Sequence, residues 1–308
     1  DIDRLILGAR TNGVCIYHHK RDNNLDIFRV EGYPGIIIIT NWRGTVIKVI
    51  TNPSHFRSFD DYMHFLSCID SASSFSNEIT YTQAPEGGWL DYFEIARIDY
   101  AIRIYQPFCE VAPLMRVRYK QNVRMYEHGP GINAAMYGKN ESIIWVYDEA
   151  LYNQVKRSND TNRHLYPTAE DTGLTKIEHQ VRGSGKVKEE AGFNRKLKYS
   201  DIYGHLTDIV NGTCSPLRNI ECMNVRIKND NEINTRKNRE KAQRLRMLLE
   251  FAPYSAIKRK FNTNNNFDAM YAPVLQRTTS DEDAQPPALL RQSLNNFLGT
   301  DQYQRCAS

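Results

Sequence analysis

The sequence predicts an α+β protein in which an antiparallel β-sheet is backed by helices, followed by a C-terminal helical region. Three observations predict this class. Runs of β-branched residues occur in pairs separated by short turns, two segments alternate strictly between apolar and polar residues, and stretches with helical spacing lie between and after them. Strands joined by tight turns pair antiparallel, so the paired runs indicate hairpins.

The first hairpin is expected over residues 35–41 and 45–51, two runs rich in Ile and Val that flank a Trp-Arg-Gly turn. A helix should follow, because Ser58 opens a capping sequence and apolar residues then recur at helical spacing. These residues are Phe59, Tyr62, Leu66 and Ile69. Residues 71–88 are rich in Ser, Thr, Pro and Gly, which is typical of a loop.

Two later segments alternate as half-buried strands do. In residues 97–104 one face is apolar and the other carries Arg97, Asp99, Ala101 and Arg103. In residues 174–183 one face carries Thr175, Ile177, His179 and Val181, and the other carries Lys176, Glu178, Gln180 and Arg182. Each segment is therefore expected to be a strand with one charged face. We expect His179, between two apolar neighbours on its face, to be a core residue.

A second hairpin is expected from residues 132–137 and 142–147, with a helix starting near Asp148. Apolar spacing over residues 193–210 predicts a helix with Arg195, Lys196 and Lys198 at its start, and residues 234–261 are mostly helical with an interruption at Pro253. These elements divide the chain into an α+β domain, a basic helical region, and a linker with an amphipathic tail. The predicted ranges are 1–212, 213–277 and 278–308.

Composition limits the classes of protein. The 308 residues are 41% hydrophobic and 25% charged, which is typical of a globular protein. The longest apolar run, residues 35–39, is far shorter than the roughly 18 residues of a membrane helix. No signal-peptide pattern opens the sequence, and the six cysteines are scattered, so we expect a cytoplasmic protein with free thiols and no membrane partner. Nucleotide-binding glycine motifs and the Gly-x-Ser-x-Gly sequence of serine hydrolases are absent.

Charge is concentrated in one region. The formal net charge is only +4, but residues 236–260 contain nine Lys and Arg against Glu240 and Glu250. A polyanion such as DNA is a reasonable partner for this stretch. The alternative is a solvated helix face whose charge only keeps the protein soluble.

The polar faces of the two alternating strands hold the best candidate for a metal site. If the strands share a sheet, Asp99 and Glu178 can converge and bind a hard divalent cation, which prefers oxygen ligands. The basic neighbours Arg97, Arg103, Lys176 and Arg182 would then suit a phosphodiester. The alternative is an exposed sheet face with cross-strand ion pairs and no catalytic role.

Two tyrosines are the candidates for a nucleophile. Tyr199 and Tyr203 are four residues apart on the predicted helix and would share one face. A tyrosine can attack phosphorus and form a phosphotyrosine ester, with help from a metal or from a cation such as Lys196 or Lys198. His205 is a candidate general base near Tyr203. The alternative is that both tyrosines only pack in the interior.

Five motifs in order resemble rolling-circle replication initiators, in particular the Rep_trans plasmid initiators and the gene II type initiators of filamentous phages. The motifs are Thr-Asn-Pro-Ser-His-Phe at 51–56, Ala-Arg-Ile-Asp-Tyr-Ala at 96–101, Met-Tyr-Gly-Lys-Asn-Glu-Ser at 136–142, Trp-Val-Tyr-Asp-Glu-Ala-Leu at 145–151, and Lys-Ile-Glu at 176–178. The resemblance covers about residues 45–210.

The resemblance implies a sequence-specific endonuclease that nicks one DNA strand at an origin and stays attached to the 5′ end through a tyrosine. It also implies Mg²⁺ or Mn²⁺ and a fold related to the HUH endonucleases. Asp99 and Glu178 match the acidic positions, Tyr199 matches the nucleophile, and Tyr203 is a candidate second nucleophile. We expect DNA contacts from Arg97, Lys139, Lys176, Arg182, Arg195, Lys196 and Lys198.

The sequence departs from the initiator pattern at three positions. Arg103 stands where many relatives have a second Asp, Lys176 replaces Arg, and Glu149 replaces the usual Lys after Tyr-Asp. The implied partners are origin DNA, single-stranded or as an extruded hairpin, and a host helicase, with a homodimer as a possible assembly. Three alternatives stay open: a conjugative or mobilisation relaxase with the same chemistry, a non-catalytic DNA-binding protein on the same scaffold, and an unrelated metal-dependent nuclease without a covalent intermediate.

Overall fold

The chain forms two compact units. The computed structural model describes residues 2–53, 56–71, 89–118, 123–127, 132–156, 174–222, 225–251, 254–261, 266–277 and 285–299. Unit 1 comprises Asp1–Ile95, Arg195–Val210 and Ser293–Ser308, and unit 2 comprises Ala96–Asn194 and Asn211–Gln292. Helices and antiparallel sheets occur in both, so the predicted α+β class with sheets backed by helices is confirmed.

The described helices are α1 (Ile2–Thr11), α2 (Phe59–Ser71), α3 (Phe108–Val111), α4 (Glu149–Lys156), α5 (Ser184–Ala191), α6 (Ile202–Val210), α7 (Arg236–Phe251), α8 (Tyr254–Phe261), α9 (Phe267–Tyr271) and α10 (Pro286–Leu298). The described strands are β1 (Ile16–Asp22), β2 (Leu25–Val30), β3 (Tyr33–Asn41), β4 (Val46–Ile50), β5 (Arg97–Ile104), β6 (Met115–Val117), β7 (Val123–Glu127), β8 (Ile132–Lys139), β9 (Ser142–Asp148), β10 (Thr175–Arg182), β11 (Ile220–Cys222), β12 (Val225–Ile227) and β13 (Leu275–Arg277).

Unit 1 contains an antiparallel meander in the order β1-β2-β3-β4. The predicted hairpin is β3 and β4, and its turn is held by Asn41, whose Oδ1 accepts hydrogen bonds from the backbone N–H groups of Arg43 (2.9 Å) and Thr45 (3.0 Å). Ile38 of β3 is fully buried in a core that also includes Leu66 of α2. The predicted helix after this hairpin is therefore confirmed, since its apolar face packs on the core of the sheet.

Unit 2 contains a five-stranded antiparallel sheet in the order β5-β10-β9-β8-β7. Both alternating strands and the second hairpin were predicted correctly, and β10 lies at their centre between β5 and β9. Asn140, in the β8–β9 turn, has φ 61°, and Gly138, next to the last residue of β8, has φ 87°, left-handed values that these residue types tolerate best.

One face of this sheet is closed. Ile177 and Val181 of β10 have no exposed surface, and α5 packs on β10 and β5. His179 is 3% exposed, as expected of a core residue. Its Nδ1 donates to the backbone oxygen of Pro216 (2.9 Å), because a carbonyl can only accept, and its Nε2 lies 2.9 Å from Ser142 Oγ. Through these hydrogen bonds, His179 of β10 connects Ser142 of β9 with Pro216 in the segment before β11.

The predicted helical region 234–261 is confirmed as α7 and α8. These helices and α9 surround a small apolar core. Its buried members are Ile233, Ala242, Leu245, Tyr254, Ile257, Phe267, Tyr271 and Val274. The chain also pairs β11 with β6, and β12 with β13. In the sequence, one boundary between the units lies at Val210–Asn211, and β11 pairs with β6 within unit 2. The domain ranges 1–212, 213–277 and 278–308 stay a prediction.

The single helix predicted over residues 193–210 is wrong. Helix α5, which the spacing did not reveal, ends at Ala191 and is followed by Gly192 at φ 76° in the left-handed C-cap conformation. Residues 193–198 are not helical, a 3-10 turn covers Tyr199–Asp201, and α6 begins at Ile202. Asp201 stabilises this start by accepting a hydrogen bond from the Lys198 N–H (2.8 Å).

Other sequence predictions have mixed outcomes. The loop predicted for 71–88 lies outside the described residues except for Ser71, which ends α2. Most of the linker at 278–287 also lies outside the described residues, whereas the amphipathic segment 288–297 is confirmed as part of α10. No described helix is both long and apolar enough to span a membrane. Among described residues, Cys15, Cys109, Cys214 and Cys222 form no disulfide.

The buried histidine of α6 predicts that the stability of the fold depends on pH. His205 is 2% exposed, and burial lowers its pKa from 6.5 to about 4, against the opposing effect of Asp208. Between these values the unfolded chain binds a proton that the folded chain does not, so acidification destabilises the fold. We expect the free energy of unfolding to fall by about 2 kcal/mol between about pH 7.5 and about pH 5 from this group.

The measurement is chemical denaturation of the protein and of His205→Gln at both pH values. The variant should lose this part of the pH dependence, whereas His64→Gln, at an exposed position of α2, should keep it. An unchanged pH dependence in His205→Gln would contradict the assignment.

Candidate active site on the open face of the unit 2 sheet

Two neighbouring strands place their polar side chains on the open face. In the β5–β10 pairing, Asp99 lies opposite Gln180 and Ala101 lies opposite Glu178. Asp99 and Glu178 are therefore diagonal neighbours on one face, as the alternation predicted for strands that share a sheet. We call this surface the charged rows: Arg97, Asp99 and Arg103 of β5, and Lys176, Glu178, Gln180 and Arg182 of β10.

Asp99 forms a bidentate ion pair within its own strand. Arg97 Nε donates to Asp99 Oδ1 (2.7 Å) and Nη2 donates to Oδ2 (2.5 Å). The two side chains are 47% and 32% exposed. Since a bidentate guanidinium pair satisfies both carboxylate oxygens, Asp99 is held in place beside the solvent.

Glu178 lies deeper and is more extensively bonded. Its oxygens accept hydrogen bonds from Gln180 Nε2 (2.5 Å) and from the Tyr147 hydroxyl (3.1 Å), and Lys176 Nζ lies 3.5 Å away. Burial alone raises the pKa of Glu178, but Lys176, these two hydrogen bonds and Arg97 outweigh burial and lower it. Burial and the nearby carboxylates raise the pKa of Tyr147, so its phenol keeps the proton that it donates. Glu178 is thus held as the carboxylate.

A third carboxylate, which the sequence did not assign to the site, completes the network. Glu149, at the start of α4, is 3% exposed and accepts two hydrogen bonds from Arg103, at 2.6 and 3.0 Å. Lys176 Nζ lies 3.7 Å from Glu149, so one ammonium serves Glu149 and Glu178. Arg103 and Glu149 are two of the departures from the initiator pattern, and here they pair with each other, with the charges exchanged. The sequence could have indicated this pair, because Arg103 replaces an acidic residue of the pattern and Glu149 replaces a basic one.

The donor chemistry of the charged rows fits a hard divalent cation only in part. Asp99 and Glu178 offer carboxylate oxygens, and Mg²⁺ commonly takes one or two carboxylates with water and phosphate oxygens. Each carboxylate is, however, already bonded to a cationic side chain. In the part of the chain that the structure describes, no three His, Cys, Asp or Glu residues are grouped to hold a metal ion. A cation would have to take the place of Arg97 or Lys176.

The two candidate tyrosines lie in unit 1, whereas the charged rows lie in unit 2. Tyr199 belongs to the 3-10 turn before α6 and packs against the unit 1 core, with its hydroxyl 3.5 Å from Met63 Sδ. Tyr203, within α6, is 54% exposed and its ring centroid lies 5.3 Å from that of Phe59. The expectation that both share one regular helix is wrong, because α6 begins after Tyr199.

The predicted DNA contacts divide between the two units. Arg97, Lys176 and Arg182 belong to the charged rows. Lys139 is exposed at the end of β8 opposite Ser142, whose side chain faces His179, so Lys139 is directed to the other side of the sheet.

The remaining three predicted contacts lie in unit 1 and are partly engaged. Arg195 pairs with Asp201 (2.6 Å) and Lys196 pairs with Glu94 (2.8 Å). Lys198 is half-buried next to the 3-10 turn. For Arg195 and Lys196, contact with a phosphate would replace an existing ion pair.

Comparison with protein-family models and with curated proteins finds no match to this chain.

The Arg103–Glu149 pair can be tested by exchanging its charges. Arg103→Asp alone places two carboxylates together, and Glu149→Lys alone adds a cation beside Arg103 and Lys176. We expect each single variant to lose about 2 kcal/mol of unfolding free energy, because each leaves a buried charge badly matched.

The double variant Arg103→Asp with Glu149→Lys restores opposite charges and should recover at least about half of the summed loss, a coupling that a double-mutant cycle of urea denaturation measures. Arg236→Asp, at a 94% exposed position of α7, is the control for a surface charge reversal and should change stability by less than about 0.5 kcal/mol. Additive losses in the double variant would show that the two side chains do not interact.

Proposed function

We propose that the protein is a replication initiator that nicks and rejoins one DNA strand at an origin through a covalent 5′-phosphotyrosine, with Mg²⁺ or Mn²⁺ as cofactor. The observation that carries the proposal is the set of three carboxylates and four cations arranged around one open sheet face, with Asp99 and Glu178 as diagonal neighbours. The contact between Arg103 and Glu149 supports it, because two departures from the initiator pattern compensate each other.

The residues of the charged rows have separate tasks in this proposal. Arg97 and Arg182 are exposed and bind phosphates of the strand. Lys176, Gln180 and Tyr147 keep Glu178 ionised and oriented. A bound divalent cation would supply Lewis-acid polarisation of the scissile phosphate. Catalysis then depends mainly on placing the phosphate and on fixed charges.

The covalent step needs no reactant other than the tyrosine and the DNA strand. A tyrosine oxygen forms a bond to phosphorus while the bond from phosphorus to the 3′ oxygen breaks, and the tyrosine proton ends on the departing 3′ hydroxyl. The phosphotyrosine ester preserves the energy of the broken bond, so a later 3′ hydroxyl can reverse the step. Tyr203 is the more exposed candidate and Tyr199 the more buried one, so an experiment must test both.

This function implies a cytoplasmic protein that meets origin DNA as a single strand or an extruded hairpin and works with a host helicase. A relaxase of a mobile element would use the same chemistry on a different DNA. The second candidate is a DNA-binding protein without catalysis, which the existing pairing of Asp99 with Arg97 and of Glu178 with Lys176 favours.

The test is formation of a covalent protein–DNA adduct. The full chain is incubated with Mn²⁺ and a randomised pool of single strands labelled at the 3′ end, so that the label stays with the 5′-phosphotyrosine product, and is then denatured in detergent. We expect a labelled band at the size of protein plus DNA. Tyr199→Phe or Tyr203→Phe should abolish it, and Glu178→Gln should reduce it at least about 100-fold.

Tyr17→Phe is the matched control, because Tyr17 is 43% exposed on β1 of unit 1, the unit that contains both candidate tyrosines, and is not a residue of the site; it should give the adduct normally. Cleavage without an adduct would identify a hydrolytic nuclease, and retention of DNA without cleavage would identify the binding protein. Either result, or an adduct that survives both tyrosine substitutions, would overturn the proposal.

A further inference from the structure

The open face of the unit 2 sheet continues beyond the charged rows into an aromatic surface. Across the strands, Glu178 lies opposite Trp145, and Trp145 lies opposite Met136. One pair along, Lys176 lies opposite Tyr147, whose neighbour Ala134 lies opposite Tyr126. We call Tyr126, Met136, Trp145 and Tyr147 the aromatic patch.

The aromatic patch has an accessible part and a supporting part. Trp145 and Tyr126 are partly exposed, with ring centroids 5.3 Å apart and planes at 41°. Met136 and Tyr147 are 9% and 8% exposed, and the Tyr126 hydroxyl contacts Met136 Sδ at 3.7 Å. Met136 therefore supports Tyr126, which in turn contacts Trp145, so that the two exposed rings have less side-chain freedom to lose on binding.

Cationic side chains lie on both sides of the aromatic patch, most of those in the charged rows within ion pairs. The charged rows lie on the adjacent strands β10 and β5, with four cations against three carboxylates when Glu149 is included. On the other side, Arg124 of β7 is exposed and lies opposite Met136. A polyanion can thus contact cations at both margins while its apolar parts meet the rings.

Single-stranded nucleic acid has this combination of properties. Its bases present free faces that stack on Trp and Tyr, and its phosphates need cations spaced along the same path. In a duplex the base faces already stack on each other and are closed to protein rings. An acidic peptide would pair with the cations but would leave the rings without a stacking partner.

We propose that the aromatic patch is a stacking platform for the bases of a single strand, with Trp145 and Tyr126 as the contacting rings and Arg124 and Arg97 as phosphate contacts at its margins. This inference deepens the proposed function, on which it rests, by naming unstacked bases beside the charged rows as what the site holds. On this proposal, the preference for single-stranded over double-stranded nucleic acid comes from side chains on β7, β8 and β9.

The experiment measures binding without cleavage. Fluorescence anisotropy follows the full chain binding a labelled oligothymidine of about 12 nucleotides, with chelator present so that no metal-dependent step occurs. We expect Trp145→Leu to weaken binding about tenfold, the scale of losing one stacked base, and Trp145→Phe to weaken it about threefold. Tyr126→Leu should also weaken binding by about tenfold.

The control is Trp42→Leu, which removes a 65% exposed tryptophan from the β3–β4 turn of unit 1 and should leave affinity unchanged. Salt dependence separates the two kinds of contact. Trp145→Leu should keep the slope of log affinity against log salt, whereas Arg124→Gln should reduce that slope by about 0.7, since it removes one phosphate contact. Trp145→Phe keeps the test valid if Trp145→Leu fails to fold.

Wild-type affinity in folded Trp145→Leu and Tyr126→Leu, or equal affinity of the wild-type protein for a duplex of the same length, would overturn the platform. The result is independent of the covalent assay. If single-strand binding depends on Trp145 but no adduct forms, the nicking function is refuted and the platform is supported. If the adduct forms and single-strand binding does not depend on Trp145, the nicking function is supported and the platform is refuted.

Discussion

The antiparallel pairing of β10 with β5 and β9 is the constraint on which the candidate site depends. Because side chains alternate along a strand, a shift of one residue in β10 would bury Glu178 and expose Ile177. Ile177 and Val181 are fully buried, and exposing each would cost about 2 kcal/mol. Burial on the closed face therefore decides which charges stand together on the open face.

The charged rows are stable because almost every charge in them has a partner. A carboxylate as buried as Glu149 would be costly alone, and the two hydrogen bonds from Arg103 offset that cost. Lys176 then links Glu149 to Glu178. The same balance sets a condition for catalysis: a cation that takes an oxygen of Asp99 releases Arg97, and a phosphodiester is the anion that would accept Arg97 in exchange. Metal and DNA would therefore favour each other at this face.

Local patterns predicted the strands of the site, whereas contacts between distant residues could not be predicted in the same way. The period of two in β5 and β10 is visible in the sequence, and it correctly placed Asp99 and Glu178 on polar faces. Whether those strands are neighbours depends on pairing between residues that are 71 to 85 positions apart in the chain, for which the sequence has no local signal. Glu149 was missed because its partner Arg103 lies 46 residues away. The error at Tyr199 had a local cause, since the apolar spacing begins at Phe193 although residues 193–198 are not helical and α6 begins only at Ile202.

The sheet explains why charge and aromatic surface can serve one ligand without interfering. Neighbouring strands lie about 4.8 Å apart, so Trp145 stands one strand from Glu178 and two strands from the Arg97–Asp99 pair. Phosphate contacts weaken as salt rises, whereas stacking on a ring does not depend on counterion release. If both operate on one strand of DNA, affinity at high salt comes mainly from β7, β8 and β9, and the placement of the phosphate comes mainly from β5 and β10. Phosphate contacts and base stacking are then located on different strands of one sheet, because the register of the strands fixes both the charged rows and the aromatic patch.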